Sequence, residues 1–192
     1  MPRNPSAQAT TGPPRAGPRL ERMPLSIRPA ADADLPTITA IYNDAGVGTT
    51  ASYDLEPVSL DSRRSWFEQR SAAGFPIVVA ELDGRIVGYA AYGPFRDKAG
   101  YAYTVEHSVY VTRDARHSGV GHALMADLVA RARDRGVHAM VGVLDADNAA
   151  SIAFHRRLGF AEVARLPQVG RKFGRWLDVV MVQLTLPVPD PD

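Results

Sequence analysis

Arg116 is followed at three and five residues by Gly119 and Gly121, just after the apolar run Val109-Tyr110-Val111. A strand that passes through a short turn into a glycine-opened helix presents unpaired N–H groups at the helix start, and the helix dipole favours an anion there. Glycine lets a phosphate approach the backbone closely, and Arg116 adds a charge-assisted contact. His117, Ser118 and Val120 complete the turn. A dinucleotide fingerprint would need glycine where Leu124 stands, and no Gly-x-x-x-x-Gly-Lys-Ser/Thr run exists, so neither of those phosphate motifs applies. A ligand-free strand-to-helix turn remains the alternative. Upstream, Glu106 is an acid among apolar strand residues, and acids are seldom placed there without a partner or a task. Downstream, Asn148 opens a helical segment that carries His155. Asn is a good N-cap, and histidine can donate a proton near neutrality. Arg96, in the loop 93–98, suits bidentate binding of an anion.

The elements that must position these residues can be read in order. A first strand is expected at 25–29, and then a helix capped by Asp32 or Asp34 with Leu35, Ile38, Ile41, Tyr42 and Ala45 on one face. Ser59 caps a second helix that Gly74 stops. Strands at 77–80 and 86–92 flank Asp83-Gly84, a hairpin signal. A strand at 104–111, a helix at 119–135, a strand at 137–144, a helix at 148–158 and strands at 160–167 and 176–186 follow. The strand–helix–strand unit across 104–144 needs a parallel crossover, whereas the consecutive early strands suggest antiparallel pairing. The expected class is therefore α/β (α+β), a mixed central sheet flanked by helices.

Bulk properties narrow the function. With 192 residues the chain can bury one sizeable core, and its net charge of +1 sets up no strong field for nucleic acid or anionic membrane. There is no cysteine, which removes disulfides, thiolate metal sites and a cysteine nucleophile. His107, His117, His122 and His138 lack metal-ligand spacing, so no metal is expected. No apolar run is long enough to cross a bilayer or to serve as a secretory signal, and a cytoplasmic protein is expected. Residues 1–24 are rich in proline and arginine and are expected to be a disordered tail, with a domain at 25–186 and a short tail at 187–192. The basic-aromatic run Arg171-Lys172-Phe173-Gly174-Arg175-Trp176 is too short to make a nucleic-acid surface.

The turn Arg116-x-x-Gly119-x-Gly121 resembles the pyrophosphate-binding motif of GNAT acetyltransferases, with His117 and Ser118 in its middle positions. The segment from Asn148 to Phe160, ending Leu158-Gly159-Phe160, is similar to the GNAT helix whose first Asn contacts coenzyme A. Ile41-Tyr42-Asn43-Asp44-Ala45, Thr49-Thr50-Ala51, Gly88 to Gly93, Val105 to Val111 and Pro167 to Asp178 resemble the phosphinothricin and methionine sulfoximine acetyltransferases. This resemblance implies a GNAT fold, acetyl-CoA as co-substrate and a small amino-acid-like acceptor. It makes Glu106 the general base and sets His155 where relatives place a tyrosine that protonates the leaving sulfur. It aligns the backbone of Val109, Tyr110 and Val111 with the pantetheine arm, and Asn148 and the turn residues with the rest of the cofactor. It assigns substrate contacts to Arg96, Asp97, Lys98, Glu106, His107 and Ser108, with Tyr92 and Phe95 as pocket walls. Ala102 stands where several relatives have a basic residue. A homodimer is implied, with the 171–176 run at an interface or pocket rim. Acetylation of another amine, or a non-catalytic acyl-CoA sensor, are the alternatives. The sensor would have no need of Glu106.

Overall fold

A computed structural model describes residues 25–187. The tails expected at 1–24 and 187–192 lie outside the described residues, Pro187 excepted. In chain order the elements are β1 (Ser26–Pro29), α1 (Leu35–Ile41), α2 (Leu60–Ala72), β2 (Ile77–Leu82), β3 (Arg85–Pro94), β4 (Thr104–Val111), α3 (Val120–Asp134), β5 (Ala139–Asp145), α4 (Ala149–Arg157), β6 (Ala161–Lys172) and β7 (Arg175–Thr185). The strands form one sheet in the order β1-β2-β3-β4-β5-β7-β6. Among the described residues only β4 and β5 run parallel, joined by the α3 crossover; every other neighbouring pair is antiparallel.

Strand alternation divides the core into two layers. Val78, Ala80, Val87, Ala90, Tyr92 and Val105 face α3, meeting Leu124, Met125, Leu128 and Ala132. Val79 and Tyr89 face the other way, against Leu35, Ile38 and Ile41 of α1 and Trp66 of α2. The Asp83-Gly84 hairpin forms as expected, both residues at positive φ of 50° and 73°. Ser59 Oγ accepts from Ser62 N at 3.1 Å, which caps α2.

Three local features depart from the expectation. Asp34 does not cap α1 through its side chain. Its carboxylate instead accepts from Arg28 Nη1 at 2.7 Å and from Ala31 N at 2.8 Å, which closes a short 3-10 turn ahead of the helix. After Ile41 the helix widens into a π turn, Tyr42–Val47, of the kind that often borders a functional site. Strand β6 runs on to Lys172, past the expected end at 167, because Phe173 and Gly174, with φ of 50° and 77°, make a two-residue turn into β7. Lys172, next to that turn, points inward. Its Nζ donates to Thr49 O at 2.7 Å and Ser52 O at 2.6 Å, and burial lowers its pKa. The β6–β7 hairpin thus fixes the 49–53 loop beside the centre of the sheet.

Candidate active site

The ladder between β4 and β5 lasts for three pairs, Thr104–Ala139 to Glu106–Val141. The strands then separate. A cleft of about 280 Å³ opens between residues 107–110 of β4 and 142–145 of β5, and Ala51, Ser52, Tyr53, Asn148, Ser151 and His155 close it. The cleft-side edge of β4 keeps its N–H and C=O groups available, so an extended polar chain can lie there as an added strand. Asn148 caps α4 by accepting from Ser151 N at 3.0 Å through Oδ1. What it offers the cleft is its amide N–H.

At the far end of β4 the expected turn forms. Gly119 is the N-cap of α3 at φ 88°, a left-handed conformation that suits glycine. His117 is also left-handed, at φ 63°. The first bond into the helix runs from Ala123 N to Gly119 O at 3.0 Å, so the N–H groups of Val120, Gly121 and His122 precede it and point out of the helix start. Ser118 donates to Ala115 O at 2.6 Å and tightens the turn rather than reaching outward. A Cβ on Gly121 would meet Phe154 at 3.4 Å, an ordinary contact, so packing against α4 does not itself call for glycine there.

A second cleft, of about 370 Å³, lies on the α1–α2 side of the sheet, and Glu106, His107, Ser108 and Tyr110 belong to both. Its other walls include Tyr42, Asp54, Arg63, Trp66, Arg70 and Tyr89. Glu106 is half-buried. Loss of solvent raises its pKa, against the pull of Arg96 and Arg70, as suits a base working near neutral pH. Arg96 Nη1 is 3.9 Å from Glu106 Oε2. The Arg70 guanidinium occupies the space that a Cβ on Gly93 would fill, and burial lowers its pKa. Tyr42 donates to Asp54 Oδ2 at 2.6 Å, and its oxygen is 2.7 Å from Ser52 Oγ.

On the α4 side, His107 and His155 stack with ring centroids 5.1 Å apart. His155 Nδ1 lies 2.8 Å from Ser151 O. A carbonyl only accepts, so Nδ1 carries the proton and Nε2 of the neutral ring is an acceptor. Burial lowers the His155 pKa, and burial with the neighbouring His155 pushes His107 down to about 3. A Cβ on Gly142 would come within 2.8 Å of His107 Nε2, so β5 needs glycine there to admit the ring. Both folded-state pKa values lie below the ordinary histidine value of 6.5, so on acidification the unfolded chain takes up protons first. Stability is complete above that value and is lost as pH falls below it, by about 1.4 kcal/mol per pH unit for each ring kept neutral. Thermal unfolding followed from pH 7.5 to 5 should fall steeply, and His107→Phe should flatten the slope. Equal slopes would mean that His107 titrates normally in the folded protein.

The structure therefore brings Glu106, His107, Ser108, Val109, Tyr110, Asn148 and His155 together around the two clefts, with Arg96 beside Glu106. Val111, Arg116, His117, Ser118, Gly119, Val120 and Gly121 follow along the strand end and turn. Four expectations are corrected. Tyr92 does not wall the acceptor cleft: it alternates to the α3 face and packs edge-on against Phe75 at 6.0 Å. Phe95 packs on Tyr101 and under Arg96 instead of lining a cleft. Asp97 and Lys98 are exposed on the loop and line neither cleft. In the neutral ring His155 holds its proton away from Nε2, so it stands as a proton acceptor rather than a ready acid. Arg63, Trp66, Arg70 and Tyr89 wall the acceptor cleft without being among the residues expected there. For Tyr89 strand alternation was an available signal, since residues 89, 91 and 93 share one face and Gly93 pairs with Glu106.

A sheet that parts between two parallel strands, an anion-binding turn that follows the strand bordering the gap and a carboxylate shared with a second, arginine-walled cleft define a group-transfer enzyme. It sets a phosphate-bearing donor against a small acceptor. Residues 37–160 match the Acetyltransferase (GNAT) family, and the chain belongs to that family of acetyltransferases. It is 52% identical over 165 residues, 85% of its own length and 96% of the relative's, to the L-methionine sulfoximine/L-methionine sulfone acetyltransferase of Pseudomonas aeruginosa. It is 39% identical over 194 residues, 99% of its length and 98% of the relative's, to the phosphinothricin N-acetyltransferase of Alcaligenes faecalis. Among solved structures, yncA from Salmonella typhimurium with its cofactor acetyl-CoA superposes with a TM-score of 0.83 at 44% identity, over 87% of this chain and 96% of that one.

Proposed function

We propose that this acetyltransferase moves the acetyl group of acetyl-CoA to the α-amino group of a small amino-acid analogue of the methionine sulfoximine, methionine sulfone or phosphinothricin type. The observation that carries this is the meeting of two clefts at Glu106, one bordered by the strand that leads into the anion-binding turn and the other walled by Arg63 and Arg70. Acetyl-CoA supplies an activated acetyl group. The turn at 116–121 holds its phosphates, the free edge of β4 aligns its arm and polarises the carbonyl oxygen, and Asn148 adds a donor. Glu106 takes the proton that the acceptor ammonium must lose before nitrogen can attack. As the C–N bond forms, the nitrogen sheds a second proton, which His155 can take at Nε2 and pass to the departing sulfur. Arg96 and Arg70, both felt by Glu106, suit the carboxylate next to the amine. A polyamine would meet the same cations with repulsion, which favours the amino-acid acceptor.

This reading includes a single catalytic domain at 25–186 and a cytoplasmic enzyme. Among the described residues no helix is long and apolar enough to cross a membrane. It also includes a homodimer, supported by the exposed Val163, Leu166, Val169, Phe173 and Trp176 of the β6–β7 hairpin, an apolar surface of the kind that marks an interface. A nucleic-acid role gains nothing from that hairpin, because Lys172 is turned into the protein. Thiol release from acetyl-CoA, measured across a panel of acceptors, tests the function. Methionine sulfone, methionine sulfoximine or phosphinothricin should be acetylated on the α-amine. Faster turnover of polyamines or peptides than of all three would reject the acceptor assignment.

A further inference from the structure

Arg63 is only 6% exposed, and its Nε is buried without a hydrogen-bond partner. No ion pair joins it among the described residues. Its guanidinium lies 4.0 Å from the Tyr42 ring centroid and 4.7 Å from that of Trp66. Aromatic faces hold a cation's plane in place but do not satisfy its N–H donors. A buried charge is seldom left without an acceptor, and the space beside this one is the acceptor cleft that it lines.

Arg63 and Arg70 of the cleft, and Arg96 beside Glu106, do not stand in equivalent places. Arg96 and Arg70 both bear on Glu106, whereas Arg63 is not among the charges that do. Arg63 acts instead on Arg70 and on the phenols of Tyr42, Tyr89 and Tyr110. An amino acid whose nitrogen faces Glu106 has its carboxylate one carbon away, within the province of Arg96 and Arg70. Arg63 then meets the side chain.

We propose that Arg63 reads the acceptor's side chain by donating to an oxygen on tetrahedral sulfur or phosphorus, with Tyr42 and Trp66 holding the guanidinium in plane. The assignment rests on the amino-acid acceptor proposed above. It makes Arg63 a specificity-determining residue that separates oxidised side chains from the thioether of methionine, which has the same carbon chain and no oxygen to accept the bond.

The matched pair methionine sulfone and methionine tests it, with kcat/KM measured for both in the wild type, Arg63→Met and Arg63→Lys. The wild type should prefer the sulfone. Arg63→Met should lower kcat/KM for the sulfone by about 10–100-fold, mostly through KM, with a much smaller loss for methionine, so that the preference collapses. Arg63→Lys, which keeps the charge but loses the planar fork, should fall between. The thermal shift produced by acetyl-CoA should persist in each variant, which shows a folded donor side. If Arg63→Met does not fold, Arg63→Gln carries the same expectation. A wild type active on the sulfone whose preference survives in the folded variant overturns the role of Arg63 alone, as does an equal loss for both compounds. A wild type inactive on the sulfone but active on methionine sulfoximine or phosphinothricin overturns the role of Arg63, and one inactive on all three analogues overturns the acceptor assignment with it.

Discussion

Glu106→Gln should lower turnover by about 10²–10⁴-fold near neutral pH. The acceptor amine arrives largely protonated, and an ammonium has no lone pair with which to attack. Glutamine keeps the shape of the side chain and part of its hydrogen bonding but cannot take the proton. The pH dependence adds a second check. Burial raises the Glu106 pKa, and the base acts only when ionised, so the acid limb of kcat/KM in the wild type should lie above the ordinary carboxylate range and rise with pH. In the variant that limb should disappear. Its defect should shrink as pH increases, because more amine then arrives neutral. Acetyl-CoA binding should barely change, since the anion-binding turn starts beyond Val111, at the other end of β4. Wild-type turnover at pH 7 in the variant would remove Glu106 from the chemistry.

The second large effect is expected at Gly119. Acetyl-CoA binds the folded state, and at about 100 times its Kd it should stabilise the enzyme by about 2.7 kcal/mol, raising Tm by roughly 5–10 °C for a domain of this size. Gly119→Val should abolish that rise. Nothing lies within 4 Å of the position a Cβ would take at Gly119, so the branch point of a valine side chain stands in open space. It would project from the start of α3 into the space a phosphate needs before the N–H groups of Val120 and Gly121. The left-handed φ of 88° also becomes strained, at about 1–2 kcal/mol. The variant should therefore fold with a lower Tm that no longer responds to acetyl-CoA. A full thermal shift in the variant would place the phosphates elsewhere.

The residues that the sequence announced are those whose surroundings in the chain explain them. Gly119 follows a strand and opens a helix, Asn148 precedes one, and Glu106 interrupts an apolar run. Each role depends on neighbours a few positions away. Arg63 and Arg70 are different. On α2 they sit among Arg64, Glu68 and Gln69, and nothing local separates a buried arginine from a solvated one. Their roles appear only when α2 lies across the face of the sheet, where Trp66 meets Tyr89 at 6.4 Å and Arg70 fills the notch at Gly93. Tyr92 was misplaced for the converse reason. Its neighbours suggested the cleft, but three residues along a strand from Tyr89 it faces the opposite layer. The π turn after α1 left no periodic signal, since Ala45 is buried as an α-helical pattern also requires.

The short ladder between β4 and β5 has an evolutionary consequence. Beyond Glu106 the two strands share no pairs, so much of the two cleft walls comes from different parts of the chain, meeting along β4 and where Tyr42 reaches Ser52. Mutations on α2 can reshape what is acetylated while the helix start and the β5 edge, which serve the common donor, stay intact. A lineage carrying this architecture can exchange acceptors by a few substitutions on one helix without passing through a form that has lost its donor.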